Sequence, residues 1–431
     1  MGGGAAAFAA AVLLLGGALG SSPDARPTAG PPEAAAAALA AGVSAGDTEG
    51  WVRALEARVH ADGRDADALV LLGLAYQQRA RETGDPSFYP RSGEALRRAA
   101  RLEPRNHLAL TGLAALAASR HRFAEARVLA QKAIALSPDS APAYGILGDA
   151  LVELGRYPEA FQAFDRMAAL RPNLASFTRV AYARELLGRQ EAAREAFELA
   201  VDSGAGNAEN SAWTLVQLGN LEFDRGRLDA ATRAYDRALA VLPAFAHAEA
   251  GLARVAGARG QTAQAVALYR RALASLPLPQ YAIGLGDTLA AAGRAAEARE
   301  AYALVGVIER LLEANGVRTE LETALFDLDH GRALAHALAR AQEAHRRGPG
   351  IHAEDVLAWA LYKNGRCREA LAHSERALRL GTLDALKLFH RGMIERCVGR
   401  RAEAHSDLTR ALEINPHFSP LYAPVAREAL Q

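Results

Sequence analysis

The chain has 431 residues, half of them hydrophobic and only 6% aromatic, with 50 basic and 49 acidic side chains. The formal net charge of +1 lacks the basic excess of a nucleic-acid-binding surface, so we predict no nucleic-acid partner. The two cysteines are too few for a tetrahedral zinc site built from cysteine alone.

The first 48 residues differ in composition from the rest of the chain. Residues 5–19 form an apolar run, AAAFAAAVLLLGGAL, which has the length of a signal-peptide core and is short for a spanning helix. The run ends in the small-x-small pattern of a cleavage site, Ala18-Leu19-Gly20, although no Lys or Arg precedes it. We predict that residues 1–20 are a signal peptide or an N-terminal membrane anchor, and that residues 21–48, rich in Ala, Pro and Gly, are a disordered linker.

This N-terminus predicts an exported protein, periplasmic or otherwise extracytoplasmic, that touches the membrane only through the N-terminal segment. A cytoplasmic protein with an unusual leader is the alternative.

A unit of two short amphipathic helices is clearest in residues 141–172. Leu147 and Leu151 lie four residues apart and share one face of the first helix. Gly155 is placed to end that helix in the left-handed conformation, and Pro172 to stop the second. Such a pair cannot cover its own apolar faces, so it must stack on copies of itself.

The copies follow at a regular period. The glycine between the helices recurs as Gly155, Gly188, Gly226, Gly260, Gly293, Gly331, Gly365 and Gly399. A small residue that opens the second helix recurs in the same phase, as Ala126, Ala160, Ala193, Ala231, Ala265, Ala298, Ala370 and Ala404. The motif residues of the clearest unit are, in order, Tyr144, Leu147, Gly148, Leu151, Ala160, Phe164 and Pro172.

This motif resembles the tetratricopeptide repeat of bacterial proteins, whose period is about 34 residues. The resemblance covers nearly the whole chain beyond the linker and indicates about ten repeats. It implies an all-α fold, a right-handed superhelical solenoid of stacked helix-turn-helix repeats over residues 49–431, with a capping helix at each end.

No motif for catalysis is present. The chain lacks a Walker-type glycine loop, a GxSxG elbow, an HExxH helix and a CxxC pair. His330, His336, His345 and His352 are not three or four residues apart, the spacing that puts two imidazoles on one helical face. We therefore predict solvated histidines, no metal, no cofactor and no enzymatic activity.

The resemblance also implies a concave groove lined by the first helix of each pair. The family's groove positions correspond here to Tyr182, Trp213, Asn220, Phe223, Arg254, Trp359, Tyr362, Phe389, Met393 and Arg396. They include two aromatic groups, Tyr182/Trp213/Phe223 and Trp359/Tyr362/Phe389. Aromatic and arginine side chains often anchor protein interfaces, and Asn220 could hold the amide of an extended peptide. The alternative is that the rings pack across neighbouring first helices.

In such a stack, Cys367 and Cys397 both lie toward the turns of neighbouring layers. A disulfide between them and two separate buried thiols are equally compatible with that arrangement.

The predicted function is a non-catalytic protein–protein interaction scaffold that holds a partner polypeptide in the concave groove, in the cell envelope. One alternative is an accessory protein of a surface-polymer export or assembly machine, since aromatic faces also stack on the sugar rings of a polysaccharide. Another is a structural spacer attached only at its ends.

Overall fold

The computed structural model describes residues 48–204 and 208–431, and in these residues it contains α-helices joined by turns and no strand. The predicted signal peptide or anchor and nearly all of the predicted linker lie outside the described residues. No helix in the described part of the chain is long and apolar enough to cross a membrane.

The described residues form a capping helix, ten helical hairpins and a final short helix. The first cap is α1 (Thr48–Ala61) and the last helix is α22 (Tyr422–Ala429). Hairpins 1 to 5 are α2 (Ala66–Thr83) with α3 (Phe88–Leu102), α4 (His107–Ser119) with α5 (Phe123–Leu136), α6 (Ala141–Glu153) with α7 (Tyr157–Leu170), α8 (Leu174–Leu186) with α9 (Gln190–Asp202), and α10 (Ala208–Asp224) with α11 (Leu228–Val241). Hairpins 6 to 10 are α12 (Ala246–Ala258) with α13 (Thr262–Ser275), α14 (Pro279–Ala291) with α15 (Ala295–Ala314), α16 (Glu320–Asp329) with α17 (Leu334–Arg347), α18 (Ile351–Lys363) with α19 (Cys367–Ala377), and α20 (Ala385–Cys397) with α21 (Arg401–Ile414).

Most hairpins turn on a glycine in the left-handed conformation. All eight glycines that mark the repeat have φ between 64° and 86°, a region that a side chain with a Cβ disfavours. Hairpin 2 departs from this rule, because His121 occupies its turn with φ 54°. The predicted repeat phase is therefore confirmed at its turns.

Small residues let the two helices of a hairpin approach closely. The eight alanines that open the second helices are at most 2% exposed. Between the helices of hairpin 3, a Cβ added to Gly148 would lie 2.3 Å from the ring of Phe164. The repeat motif thus helps to set the helix spacing, because a side chain at Gly148 would clash with the Phe164 ring.

The stack coils tightly enough for hairpins that are distant in sequence to touch. The turn of hairpin 4 meets the loop after hairpin 9, where Thr382 Oγ1 donates to the carbonyl of Leu186. The turn of hairpin 3 meets the loop after hairpin 8, where the backbone N–H of Ile351 donates to Tyr157 Oη at 2.7 Å.

Similar contacts join the turns of hairpins 1, 2 and 5 to later loops. Arg318 N donates to Arg120 O at 3.3 Å, and Asn415 Nδ2 donates to the carbonyl of Phe223 at 2.8 Å. Gly84, in the turn of hairpin 1, adjoins Leu276 in the loop after hairpin 6. We call this line of contacts, from hairpins 1–5 to the loops after hairpins 6–10, the seam. It closes the concave side of the solenoid.

The C-terminal segment, residues 415–431, folds back onto the inner face of the solenoid. Tyr422 Oη donates to Asp329 Oδ1 of α16 at 2.9 Å, and its ring stacks on Phe389 of α20 with centroids 4.9 Å apart. Phe418 packs on the same ring at 5.7 Å. The segment therefore covers the first helices of three hairpins as well as the end of the last one.

Candidate functional site

A cavity of about 400 Å³ lies on the inner face of hairpins 5 to 8. The first helices α10, α12, α14 and α16 form its wall, and residues 416–427 of the C-terminal segment border it. We call it the inner cavity. Its polar and aromatic lining includes Trp213, Gln217, Asn220, Arg254, Gln280 and Asp287.

Trp213 and Gln217 line this cavity, and each carries a buried hydrogen-bond donor. Trp213 is 6% exposed, and its ring meets His247 edge-on at 4.7 Å between centroids. Neither Trp213 Nε1 nor Gln217 Nε2 has a hydrogen-bond partner in the described residues, although both atoms are buried. Buried donors are normally paired, so these two are the natural contacts for acceptor groups of a ligand.

His247 lies in the same wall as a neutral ring. Burial lowers its pKa to about 3, and Nδ1 is paired with Tyr281 Oη. This side of the cavity is therefore uncharged and aromatic.

Three of the predicted groove residues meet on α10 and α12. The Arg254 guanidinium lies 4.0 Å above the Phe223 ring and donates to Asp224 Oδ1 at 3.0 Å. Asn220 Oδ1 accepts from Tyr235 Oη at 2.8 Å and from Arg254 Nη1 at 3.4 Å. The oxygen that was expected to hold a peptide amide is thus already engaged within the fold.

The acidic side of the cavity is built around Asp287. Its Oδ1 accepts from Tyr302 Oη and pairs with His330 Nε2, each at 2.9 Å. Burial alone would lower the pKa of His330, but the hydrogen bond and charge of Asp287 raise it overall. The lining therefore combines this carboxylate with the neutral aromatic side chains of Trp213 and His247.

The predicted group Trp359/Tyr362/Phe389 is together in space. Trp359 stacks on Tyr362 at 4.8 Å and packs against Phe389 at 5.9 Å. However, Trp359 and Phe389 are 2% and 0% exposed, because Tyr422 and Phe418 of the C-terminal segment lie against them. The rings of this group pack within the fold, which is the alternative that the sequence analysis left open. Their role in binding a partner stays a prediction.

The group Tyr182/Trp213/Phe223 does not form one cluster. Tyr182 packs against the core around Leu151, and its Oη is buried without a hydrogen-bond partner in the described residues. Trp213 turns instead to His247. Each first helix contacts mainly the first helices of the neighbouring hairpins. Residues at the family's groove positions therefore need not contact one another.

Met393 and Arg396 lie near the C-terminal segment. Met393 is half-buried against the C-terminal core, and the exposed Arg396 donates to the carbonyl of Ala429 at 3.2 Å. Both residues therefore border the folded C-terminus rather than the inner cavity.

Cys367 and Cys397 are disulfide-bonded in the structure, with Cα atoms 6.1 Å apart. The bridge joins the start of α19 to the end of α20, and so links hairpins 9 and 10.

The expectation of solvated histidines is wrong for three of the four positions. His330 is bonded to Asp287, burial lowers the pKa of His352 to about 3, and His345 lies beside Glu354. Only His336 is exposed. The sequence search tested spacing within one helix and could not detect partners on neighbouring helices.

Comparison with known proteins agrees with this architecture. Models of the tetratricopeptide repeat family match residues 117–187, 216–277 and 250–309. No curated protein matches the chain. The family matches and the stacked hairpins together show that the chain contains tetratricopeptide repeats.

Solved structures similar to the chain are distant from it in sequence. The human IFIT1 dimer with m7Gppp-AAAA is 13% identical, over 95% of this chain and 94% of that one, with a TM-score of 0.47. The APC/C hetero-tetramer Cut9–Hcn1 is 14% identical, over 94% and 97%, with a TM-score of 0.38. YrrB, described as a TPR protein with an unusual peptide-binding site, is 20% identical, over 44% and 96%, with a TM-score of 0.29.

Proposed function

We propose that this protein is a non-catalytic scaffold that binds an extended polypeptide segment of a partner in the inner cavity. The observation that carries the proposal is the pair of unpartnered buried donors, Trp213 Nε1 and Gln217 Nε2, among the residues that line the inner cavity. Backbone carbonyls of an extended peptide are acceptors that suit such donors.

The size of the cavity supports this proposal. Its volume of about 400 Å³ falls within the range of roughly 300–1,000 Å³ that is typical of ligand pockets. The wall is mainly apolar, with a few polar groups that can fix the orientation of a ligand. Asp287, which pairs with His330, adds a polar contact to the lining.

We propose the cell envelope as the site of action, because the apolar run at residues 5–19 has the length of a signal-peptide core. Mass spectrometry of the mature N-terminus in fractionated cells tests this. A chain that begins at Ser21 in the soluble envelope fraction, or an intact one in the membrane fraction, supports the proposal. An intact N-terminus in the cytoplasm contradicts it.

The peptide-binding proposal can be tested by blocking the cavity without disturbing the fold. Gly257 of α12 lines the cavity, and a Cβ added there meets no atom within 4 Å. Gly257→Phe should therefore fill the mouth of the cavity. Gly306→Phe is the matched control, since Gly306 is a helical glycine of α15 outside the cavity whose Cβ would meet only Arg310 Nη1, at 3.4 Å.

The measurement is selection of a displayed random dodecapeptide library on the purified chain, followed by fluorescence polarisation with the enriched peptides. We expect wild type and Gly306→Phe to bind the same peptides and Gly257→Phe to lose them at unchanged melting temperature. Equal binding by all three proteins would move the site to another surface. Failure to enrich any peptide would contradict a peptide-binding function.

A further inference from the structure

Two histidines and a glutamate meet on the boundary between hairpins 8 and 9. His345 comes from α17, Glu354 from the first turn of α18, and His373 from α19. One nitrogen or oxygen of each lies within 4.8 Å of those of the other two. We call these three residues the His–Glu–His cluster.

The spacing of the cluster is close to that of metal ligands. Glu354 Oε1 lies 3.1 Å from His345 Nε2, and Glu354 Oε2 lies 2.6 Å from His373 Nδ1. Ligands bonded to zinc at about 2.1 Å in a tetrahedron are themselves about 3.4 Å apart. The two imidazoles are nearly perpendicular, with centroids 5.3 Å apart, so both can direct a ring nitrogen at one point beside the carboxylate.

The hydrogen bonds within the cluster conflict with one another. His373 Nδ1 lies 2.6 Å from Glu354 Oε2 and 2.7 Å from Arg376 Nη2. A carboxylate needs that nitrogen to donate, whereas a guanidinium needs it to accept, and one ring nitrogen cannot do both. His345 Nε2 is buried and faces the same carboxylate, 3.1 Å from Glu354 Oε1.

A bound cation would remove this conflict. It would take the lone pairs of both ring nitrogens and the charge of Glu354, whose side chain is only 5% exposed. Arg376 Nε donates to Glu354 Oε1 at 2.9 Å, so the ion would displace this contact. The Arg376 side chain is 46% exposed and can turn into solvent.

We propose that His345 Nε2, His373 Nδ1 and the carboxylate of Glu354 bind a divalent transition-metal ion of the zinc type. Two imidazoles and one carboxylate are a common zinc ligand set, with water in the fourth position. The ion joins hairpin 8 to hairpin 9, as the disulfide joins hairpin 9 to hairpin 10. Its role is to fix the C-terminal layers of the solenoid.

The test uses the full, tag-free chain after treatment with a chelator. Zinc is titrated in competition with a chromophoric chelator, and cobalt is added separately to record its visible absorption. We expect one zinc per chain, and an intense cobalt spectrum typical of four-coordinate geometry. We also expect the melting temperature to rise with zinc, because the metal binds the folded state.

Four variants locate the ion. His345→Ala and His373→Ala should weaken zinc binding by more than the roughly 10–100-fold that loss of an outer-shell partner costs. His336→Ala removes an exposed histidine from the same helix, α17, and should leave the affinity unchanged. Arg376→Ala should bind zinc at least as tightly as wild type, because the competing cation is gone.

Circular dichroism of each metal-free variant shows that it is folded before its affinity is compared. The proposal is overturned if wild type takes up no zinc at micromolar concentration. It is also overturned if His336→Ala loses zinc as much as His373→Ala does, or if Arg376→Ala abolishes binding. In each case the cluster is an ordinary network of ion pairs.

Discussion

The charge state of Glu153, at the end of α6, depends on its burial. Burial raises its pKa from an ordinary 4.5 to about 8, and the nearby carboxylates of Glu322 and Asp149 add to the rise. Its Oε1 has no hydrogen-bond partner in the described residues. Burial likewise raises the pKa of Glu185 on α8 to about 8, so the inner face holds carboxyl groups that stay protonated near neutral pH.

This raised pKa makes stability depend on pH in a defined direction. Between about pH 4.5 and 8, the unfolded chain releases a proton that folded Glu153 keeps, so the free energy of unfolding falls as the pH rises. Glu153→Gln removes this proton release. We expect it to raise the melting temperature at pH 8 and to change it little at pH 5, as measured by calorimetry.

The control for this prediction is Glu159→Gln, at an exposed glutamate of the neighbouring helix α7. It should show no such gain at pH 8. If Glu153→Gln were neutral or destabilising at pH 8, Glu153 would be ionised in the folded protein and the inner face would be well hydrated.

Among the elements, α19 and α20 are held by a covalent link as well as by packing. The disulfide of Cys367 and Cys397 spans 30 residues. A loop of that length contributes about 3–4 kcal/mol on the chain-entropy account. In a solenoid each hairpin contacts mainly its neighbours, so this stabilisation is local.

We therefore predict that reducing the disulfide affects hairpins 9 and 10 much more than the rest of the chain. Hydrogen exchange followed by mass spectrometry should show faster exchange in α18 to α21 after reduction, with α2 to α5 unchanged. The double variant Cys367→Ser/Cys397→Ser should reproduce the pattern without reductant. Uniform acceleration along the whole chain would instead mean that the solenoid unfolds as one cooperative unit.

At the scale of the whole molecule, the seam decides whether the solenoid is open or closed. Two hinge glycines lie at the seam in close contact with the opposite loop. A Cβ on Gly155 would lie 2.6 Å from the carbonyl oxygen of Pro349, and one on Gly188 would lie 2.3 Å from that of Gly381. The hinge glycine Gly293 has a similar φ of 73° but no atom within 4 Å of such a Cβ.

Comparing Gly155 with Gly293 separates the cost of the left-handed backbone from the cost of losing a seam contact. Gly155→Ala and Gly293→Ala should each cost about 1–2 kcal/mol for the left-handed conformation. Only Gly155→Ala should also push the seam apart, so we expect its radius of gyration from small-angle X-ray scattering to increase. Gly293→Ala should scatter like wild type. Identical profiles for the two variants would show that the seam contact does not hold the superhelix closed.

The sequence by itself determined the repeat, its phase and its turns. Gly155 and its counterparts, the buried alanines and the closing prolines act within a single unit of about 34 residues, so each leaves a local signal in the chain. The aromatic group at Trp359 and the proximity of Cys367 and Cys397 were also foreseen, because they involve adjacent layers.

Only the tertiary structure decided which charged side chains pair between neighbouring layers and which loops meet across turns of the superhelix. The pitch is the sum of small rotations at every repeat, and no single residue encodes it, so the seam and the burial of Glu153 could not be predicted. The same is true of the His–Glu–His cluster, whose members come from three helices. The packing of the C-terminal segment on Trp359 likewise depends on the curvature of the solenoid. This curvature brings α16, α18 and α20 within reach of one side chain, Tyr422.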